Sequence, residues 1–373
     1  MKNTERYQRQ ILLKEFGERG QKKLQEAKVL VIGAGGLGCP VLQYLTAAGV
    51  GTIGIVDFDV VDISNLHRQI LYTVGDIGKS KAETAAKKLN ALNPDIEIQT
   101  FNLKLDNQTT FKIISCYDLV IDGSDNYSTR YLVNDACVLL NKPLVYGAVL
   151  RFEGQVGVFN IPDNEAGIKT NYRDLFPYPP DTGSALSCNE AGVLGVVPGI
   201  IGTMQATEAL KIITGIGEVL YNQIISYNIL SNAFYNFSVS PNMERPTLLP
   251  KSKTEFLNYN YDWFCGIHQS NNEISVEEFD ALLSKENVSI IDVREKNELP
   301  SISEFEFTQI PMSEFEKGIS SIESSGTIVV FCQTGKRSAK AVKHLNEIIS
   351  DCKAFSLAGG IVAWKKHHQK ISI

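Results

Sequence analysis

Cysteine is sparse in this chain of 373 residues: seven in all, with no CxxC pair. An odd number at irregular spacing excludes a disulfide framework and suits a reducing compartment, so a cytoplasmic protein is expected. Cys39, Cys116, Cys137 and Cys352 lie in apolar or helical contexts and read as small core residues. Long apolar runs are also missing. The most apolar stretch, AGVLGVVPGIIGTM, is short and broken by glycine and proline, which makes it poor material for a membrane span. The start, MKNTERYQRQ, is polar and has no apolar core of a secretory signal. Positive charge is not in excess: 36 Lys and Arg against 42 Asp and Glu leave −6, which disfavours non-specific binding to nucleic acid or acidic membranes. No internal repeat or low-complexity segment is found.

What is present is alternation. From Lys28, the strand-like runs KVLVIG, GTIGIVD, IEIQTF, DLVIDG and PLVYGAV are interspersed with helical segments such as SKAETAAKKLNAL and STRYLVNDACVLL. This order predicts an α/β domain around a doubly wound, mostly parallel sheet. FEGQVGVFN alternates more and is expected as an antiparallel extension. NEAGVLG through MQATEALKIITG reads as largely helical. Proline, serine and asparagine then accumulate, and residues 241–272 read as a loop-rich linker. A second, smaller α/β unit follows. ISVEEFDALL and SAKAVKHLNEI are its helices, VSIIDVRE and TIVVFC its strands. Domains at 1–240 and 273–373 result.

Two places carry chemistry. GAGGLG puts Gly33, Gly35 and Gly38 in a G-x-G-x-x-G spacing between a strand and a helix, with Gly36 between them. Such a loop brings backbone amides and a helix N-terminus to a phosphate, as in Rossmann-like domains. Asp57 ends the next strand, where a ribose-binding carboxylate belongs. Beyond it come Asn65, Arg68 and Gln69, then Lys81. Fixed cations there would neutralise charge at a phosphorus under attack, a need that a hydride-transferring NAD enzyme does not have. DLVIDG runs into Ser124, Asp125 and Asn126. A carboxylate at a strand's C-terminal end is placed to hold Mg²⁺ against phosphate oxygens. Read singly, Arg68 is a surface cation and Asp125 a helix N-cap.

The second place is Cys332, after TIVVFC and ahead of QTGKRS and a helix. Backbone N–H groups of such a loop, with Lys336 and Arg337, favour a thiolate and would equally hold a persulfide anion. The loop is one residue shorter than the C-x₅-R of cysteine phosphatases.

RYQRQ, GAGGLG, DFDVVDISNLHRQ, GKSKAE, GSDN and CNEAGVLG occur in the order found in the MoeB/ThiF adenylyltransferases, relatives of the ubiquitin-activating enzymes, and the chain resembles them from about Arg6 to Leu230. The resemblance implies that ATP and Mg²⁺ adenylylate the C-terminal glycine of a ubiquitin-like sulfur-carrier protein ending in Gly-Gly. It implies that Gly33, Gly35, Gly36 and Gly38 line the nucleotide with Gln69 and Asn126, and that Asp57 binds the ribose. Asn65, Arg68 and Lys81 would contact phosphates and Asp125 would hold Mg²⁺. Arg9 would reach the site from the partner subunit of a homodimer. CQTGKRS, IDVRE and LAGGIVAW resemble the rhodanese active loop and its flanks. They imply sulfurtransferase activity from a rhodanese-like domain, with Cys332 carrying a persulfide and Arg337 binding an anionic sulfur donor, persulfide or thiosulfate.

The resemblance thins twice. Many members hold a structural zinc with two CxxC pairs; the matching positions here are Asn171, Asp174, Asp262 and Cys265, so zinc is not expected. Cys188 matches a cysteine that some members use to link the carrier, yet Glu190 is its only charged near neighbour. The combined expectation is an adenylate attacked by a persulfide to give a carrier thiocarboxylate for molybdopterin or thiamine synthesis, fusion of the two units raising the effective concentration of the sulfur. An ATP-dependent enzyme acting on a modified tRNA base, an NAD dehydrogenase and a non-catalytic scaffold are the competing readings.

Overall fold

A computed structural model of the chain describes residues 4–162, 167–180, 191–242, 248–265, 272–283, 288–319, 326–348 and 352–371. The chain divides into two compact units, Met1–Gly266 and Ile267–Ile373.

The first unit begins with helices α1 (Thr4–Ile11) and α2 (Gly17–Glu26), and then alternates. The run β1 (Lys28–Ile32), α3 (Gly38–Ala48), β2 (Thr52–Val56), α4 (Lys81–Leu92) and β3 (Glu97–Phe101) forms one half. The run α5 (Asn107–Ser115), β4 (Leu119–Asp122), α6 (Tyr127–Leu139) and β5 (Leu144–Leu150) forms the other. β6 (Glu153–Phe159), the short α7 (Tyr172–Leu175), α8 (Val196–Thr214), β7 (Gln223–Asn228) and β8 (Ala233–Ser238) follow. The sheet order is β3-β2-β1-β4-β5-β6-β7-β8, parallel through β5 and antiparallel beyond it. β1, β2 and β4 are apolar nearly throughout because helices cover both faces of a parallel sheet. Sheet order reverses between β1 and β4, so a crevice opens at their carboxyl ends, the usual ligand position in an open α/β sheet.

Two local expectations are corrected. The stretch from NEAGVLG through MQATEALKIITG is largely helical as expected: Ala191 is helical, the chain breaks at Gly192 (φ +76°), Val193 bridges to Arg151, and α8 resumes at Val196, while Asn189 and Glu190 lie outside the described residues. The segment read as linker is partly structured. Helices α9 (Lys253–Asn258) and α10 (Tyr261–Phe264) pack on the first unit through the buried Phe256 and Tyr261, aromatic residues that composition alone assigns to a loop. Cys116 is exposed rather than core. It caps the C-terminus of α5, one position past the turn that buries Ile113 and Ile114. Cys39 and Cys137 are buried as expected, and burial pushes the Cys39 thiol up to about 12.

The second unit holds β9 (Glu273–Ile274), α11 (Val276–Leu283), β10 (Val288–Asp292), β11 (Thr308–Gln309), α12 (Phe315–Gly318), β12 (Gly326–Phe331), α13 (Lys336–Ile348), β13 (Cys352–Leu357) and α14 (Gly360–Ile371). Its parallel sheet runs β11-β10-β12-β13-β9. β12 is central and ends at Phe331, so the next residue, Cys332, emerges at the sheet's carboxyl edge.

Candidate active sites

At the first crevice the glycine loop is fixed by contacts only glycine tolerates. Gly33 has φ +89°, and a Cβ there would sit 2.9 Å from Gly123 O, in the loop after β4. A Cβ on Gly38 would lie 1.9 Å from Gly33 O, so the helix start closes directly on the strand end. Asp57 ties down the same loop. Its Oδ2 accepts from Ala34 N (2.8 Å) and its Oδ1 from Asp59 N (2.9 Å), and burial pushes the carboxyl up against the pull of Lys81. Each oxygen keeps a further lone pair for a ribose hydroxyl.

The segment after β2 folds back over this loop. Residues Ile63–Asn65 make one 3₁₀ turn capped by Asp62, and backbone bonds from Arg68 and Gln69 to Asn65 O continue it. This brings Gln69 Nε2 to 3.5 Å from the point where a Gly35 Cβ would be, and Arg68 Cγ to the same distance from that of Gly36. Arg68 Nη1 is held by Ser64 O at 3.0 Å. Lys81, the first residue of α4, is buried and pairs with Asp59 at 3.0 Å. Tyr72, which no motif singles out, places its buried hydroxyl 2.9 Å from Ala34 O and 3.2 Å from Lys81 O, joining glycine loop to lysine.

Across the crevice, Asn126 rather than Asp125 caps α6, accepting from Thr129 N at 2.9 Å. That removes the capping explanation for Asp125, which stands exposed one residue earlier. The loop is braced from below by groups with no motif of their own. The fully buried Asp122 accepts from Ser124 N (2.9 Å), Arg130 donates to Ser124 O (2.8 Å), and Gln205 donates to Asp122 O (2.8 Å). Burial pushes the Asp122 carboxyl up, with Arg130 opposing.

Two buried polar atoms here, Gln69 Oε1 and Ser124 Oγ, have no hydrogen-bond partner among the described residues. Orphaned acceptors and donors are costly unless a ligand satisfies them. At the end of the glycine loop, they fit a bound nucleotide.

Arg9 is not part of this assembly within one chain. Its helix α1 docks at the far end of α3: Tyr7 packs under Gly49 and Gln10 Nε2 donates to Ala48 O at 2.9 Å. The eleven residues of α3 put that end about 16 Å from the glycine loop. Cys188 and Glu190 lie outside the described residues.

The residues at the expected zinc position do not suit a cation. Asn171 and Asp174 are consumed by a capping box that starts α7. Between them Arg173 is wholly buried, bonded by Nε and Nη2 to Asp135 at 2.9 and 2.7 Å and stacked on Tyr131, Tyr259 and Phe264. Tyr261 donates to the same carboxylate at 3.0 Å. Burial pushes the Cys265 thiol up to about 12. A guanidinium clamp occupies the ground a metal would need.

In the second unit the loop Cys332–Arg337 joins β12 to α13. Gly360, from the LAGG turn, packs on it so closely that a Cβ would meet Cys332 O at 2.4 Å. Cys332 is buried at the loop's floor rather than exposed, with the hydroxyl of buried Ser338 3.6 Å from its sulfur. Ser338 is itself held by Ser356 and Gly335 O. Asp292 and Arg294 of IDVRE form a buried pair at 2.7 Å, and Arg294 reaches on to Pro300 O at 2.8 Å. Arg337 is bonded through both terminal nitrogens to Glu298, at 2.5 and 2.6 Å. Glu298 lies 39 positions upstream, outside the quoted motifs, and no spacing rule would have singled it out.

A family model described as the ThiF family matches residues 7–247, and a rhodanese-like domain matches residues 275–367. The chain is 42% identical to the probable adenylyltransferase/sulfurtransferase MoeZ of Mycobacterium tuberculosis, over 98% of this chain and 93% of that protein. It is 48% identical to the sulfur carrier protein adenylyltransferase of Thermus thermophilus, over 70% of this chain and 97% of that one. Identity to the adenylyltransferase and sulfurtransferase MOCS3 of Drosophila sechellia is 39%, over 96% and 82% of the two chains. Among solved structures, E. coli MccB with ATP superposes with a TM-score of 0.54 at 22% identity, over 64% of this chain and 72% of that one, a likeness of fold alone. Fold and sites define an adenylyltransferase joined to a sulfurtransferase. The chain belongs to the ThiF family and carries a rhodanese-like domain after it.

Proposed function

We propose that the chain activates the C-terminal glycine of a ubiquitin-like sulfur carrier as an acyl-adenylate and that Cys332 delivers sulfur to it. The observation that carries the reading is the crevice itself, where Arg68 and Gln69 close on the glycine loop and two buried polar atoms have no partner among the described residues. The loop amides hold ATP phosphates, and Asn65, Arg68 and Lys81 neutralise charge as the carrier carboxylate attacks the α-phosphorus and pyrophosphate departs. Lys81 exchanges Asp59 for phosphate in this step. Asp125 would hold Mg²⁺, whose charge would compensate that on the phosphates. Arg9 completes the site from a second copy of the chain, since its own helix lies at the wrong end of α3.

In the second unit Cys332 accepts a sulfur atom as a persulfide. The persulfide attacks the adenylate carbonyl, AMP leaves, and a second thiol attacks the Cys332 sulfur to release the carrier thiocarboxylate, leaving a disulfide. Cys188 is the chain's own candidate for that thiol. ATP–pyrophosphate exchange with the small subunit of molybdopterin synthase, and then with the thiamine sulfur carrier, tests the reading. Exchange with one carrier names the pathway; exchange with neither overturns carrier activation.

A further inference from the structure

Arg337 is the one guanidinium in the loop that surrounds Cys332, and it is already committed. Glu298 grips both terminal nitrogens in the bidentate geometry that an oxyanion donor would itself have to adopt. The contact is not isolated. Gln333 Nε2 donates to Leu299 O at 2.7 Å and Arg294 Nη1 donates to Pro300 O at 2.8 Å, so residues 298–300 are strapped to the mouth at three points. Glu298 stays ionised throughout the working pH range, because the bonds from Arg337 pull its carboxyl down to about 2. The other cation of the loop, Lys336, is exposed at the first position of α13.

We propose that Glu298 sets the choice of sulfur donor, occupying Arg337 so that Cys332 is loaded by an alkyl persulfide rather than by thiosulfate. This rests on the sulfurtransferase reading of the site. Thiosulfate is a dianion whose sulfonate must be held while sulfite leaves; here it would have to displace a carboxylate from its best receptor. An alkyl persulfide makes no such demand. The Cys332 thiolate attacks the terminal sulfur, the S–S bond of the donor breaks, a new S–S bond forms on Cys332, and the donor departs as its thiolate. The terminal proton stays on the transferred sulfur.

The test uses the full chain and its Glu298→Gln variant, with thiosulfate and cysteine persulfide as donors and the intact mass of the protein as the readout of Cys332 loading. The wild type is loaded by cysteine persulfide, and Glu298→Gln raises the thiosulfate-to-persulfide loading ratio by roughly tenfold. A second readout adds an inert dianion: sulfate leaves persulfide loading of the wild type unchanged but competes in Glu298→Gln. A wild type that takes sulfur from thiosulfate as readily as the variant, or whose persulfide loading sulfate inhibits, overturns the assignment of Glu298 while leaving the sulfurtransferase reading intact. No loading of either protein by either donor overturns both.

Discussion

The two sites hold their cations differently. Around the glycine loop, two buried polar atoms lack partners among the described residues, and Lys81 is paired with a single exposed carboxylate, Asp59. Around Cys332, the arginine is neutralised by the chain itself and the thiol is buried. The lesson is that similar ingredients, glycine, cations and a helix start, are held with different firmness in the two places. Each cation meets a carboxylate from elsewhere in the chain, but Asp59 is exposed and touches Lys81 through one oxygen, whereas Glu298 takes both terminal nitrogens of Arg337.

The largest test of that contrast is separability. Asp125→Ala should cut ATP–pyrophosphate exchange by roughly a hundredfold or more while leaving sulfur loading of Cys332 intact, as kinetics and intact mass would show. Loss of both activities would mean the sites are not independent. Next, the clamp under the first site should be metal-free. Asp135→Asn, which strands the buried Arg173 guanidinium, should cost roughly 3–5 kcal/mol in denaturant unfolding, whereas a chelator should leave the wild-type midpoint unmoved. A chelator that lowers it would restore zinc to the account. Gly38→Ala, whose methyl would collide with Gly33 O, should cost about 1–3 kcal/mol and weaken ATP binding measured by calorimetry.

The smallest effect concerns pH. The Glu298 carboxyl is held at about 2 in the folded chain, below its unfolded value, so the pair's stabilisation is present above the unfolded value and lost as pH falls toward about 2. Both side chains are about a third exposed, so the loss should be under about 1 kcal/mol, readable as the difference between wild type and Glu298→Gln in acid unfolding.

Much of this is legible in the sequence because it is local. The strand–glycine–helix spacing of Gly33 to Gly38 and the Cys332 loop are contiguous, and apolar β1, β2 and β4 announce a covered sheet. What is not legible is held by long-range contacts. Tyr72, Asp122, Arg130 and Gln205 brace the first site through bonds between elements, and Glu298 meets Arg337 only because the turn after β10 faces the loop after β12. Cys116 departs from its core reading because one position past a helix end separates a buried residue from a solvated one. Helices α9 and α10 escape notice because their polar, proline-flanked sequence hides two residues, Phe256 and Tyr261, that anchor them.

The measurement that bears most directly on the central claim is the mass of the carrier protein after incubation with ATP and sulfur-loaded enzyme. Wild-type enzyme should convert the carrier to its thiocarboxylate, and Cys332→Ala should leave pyrophosphate exchange intact while yielding none. Thiocarboxylate formed by Cys332→Ala, or exchange lost in it, would contradict the account of two chemically separate sites acting in sequence.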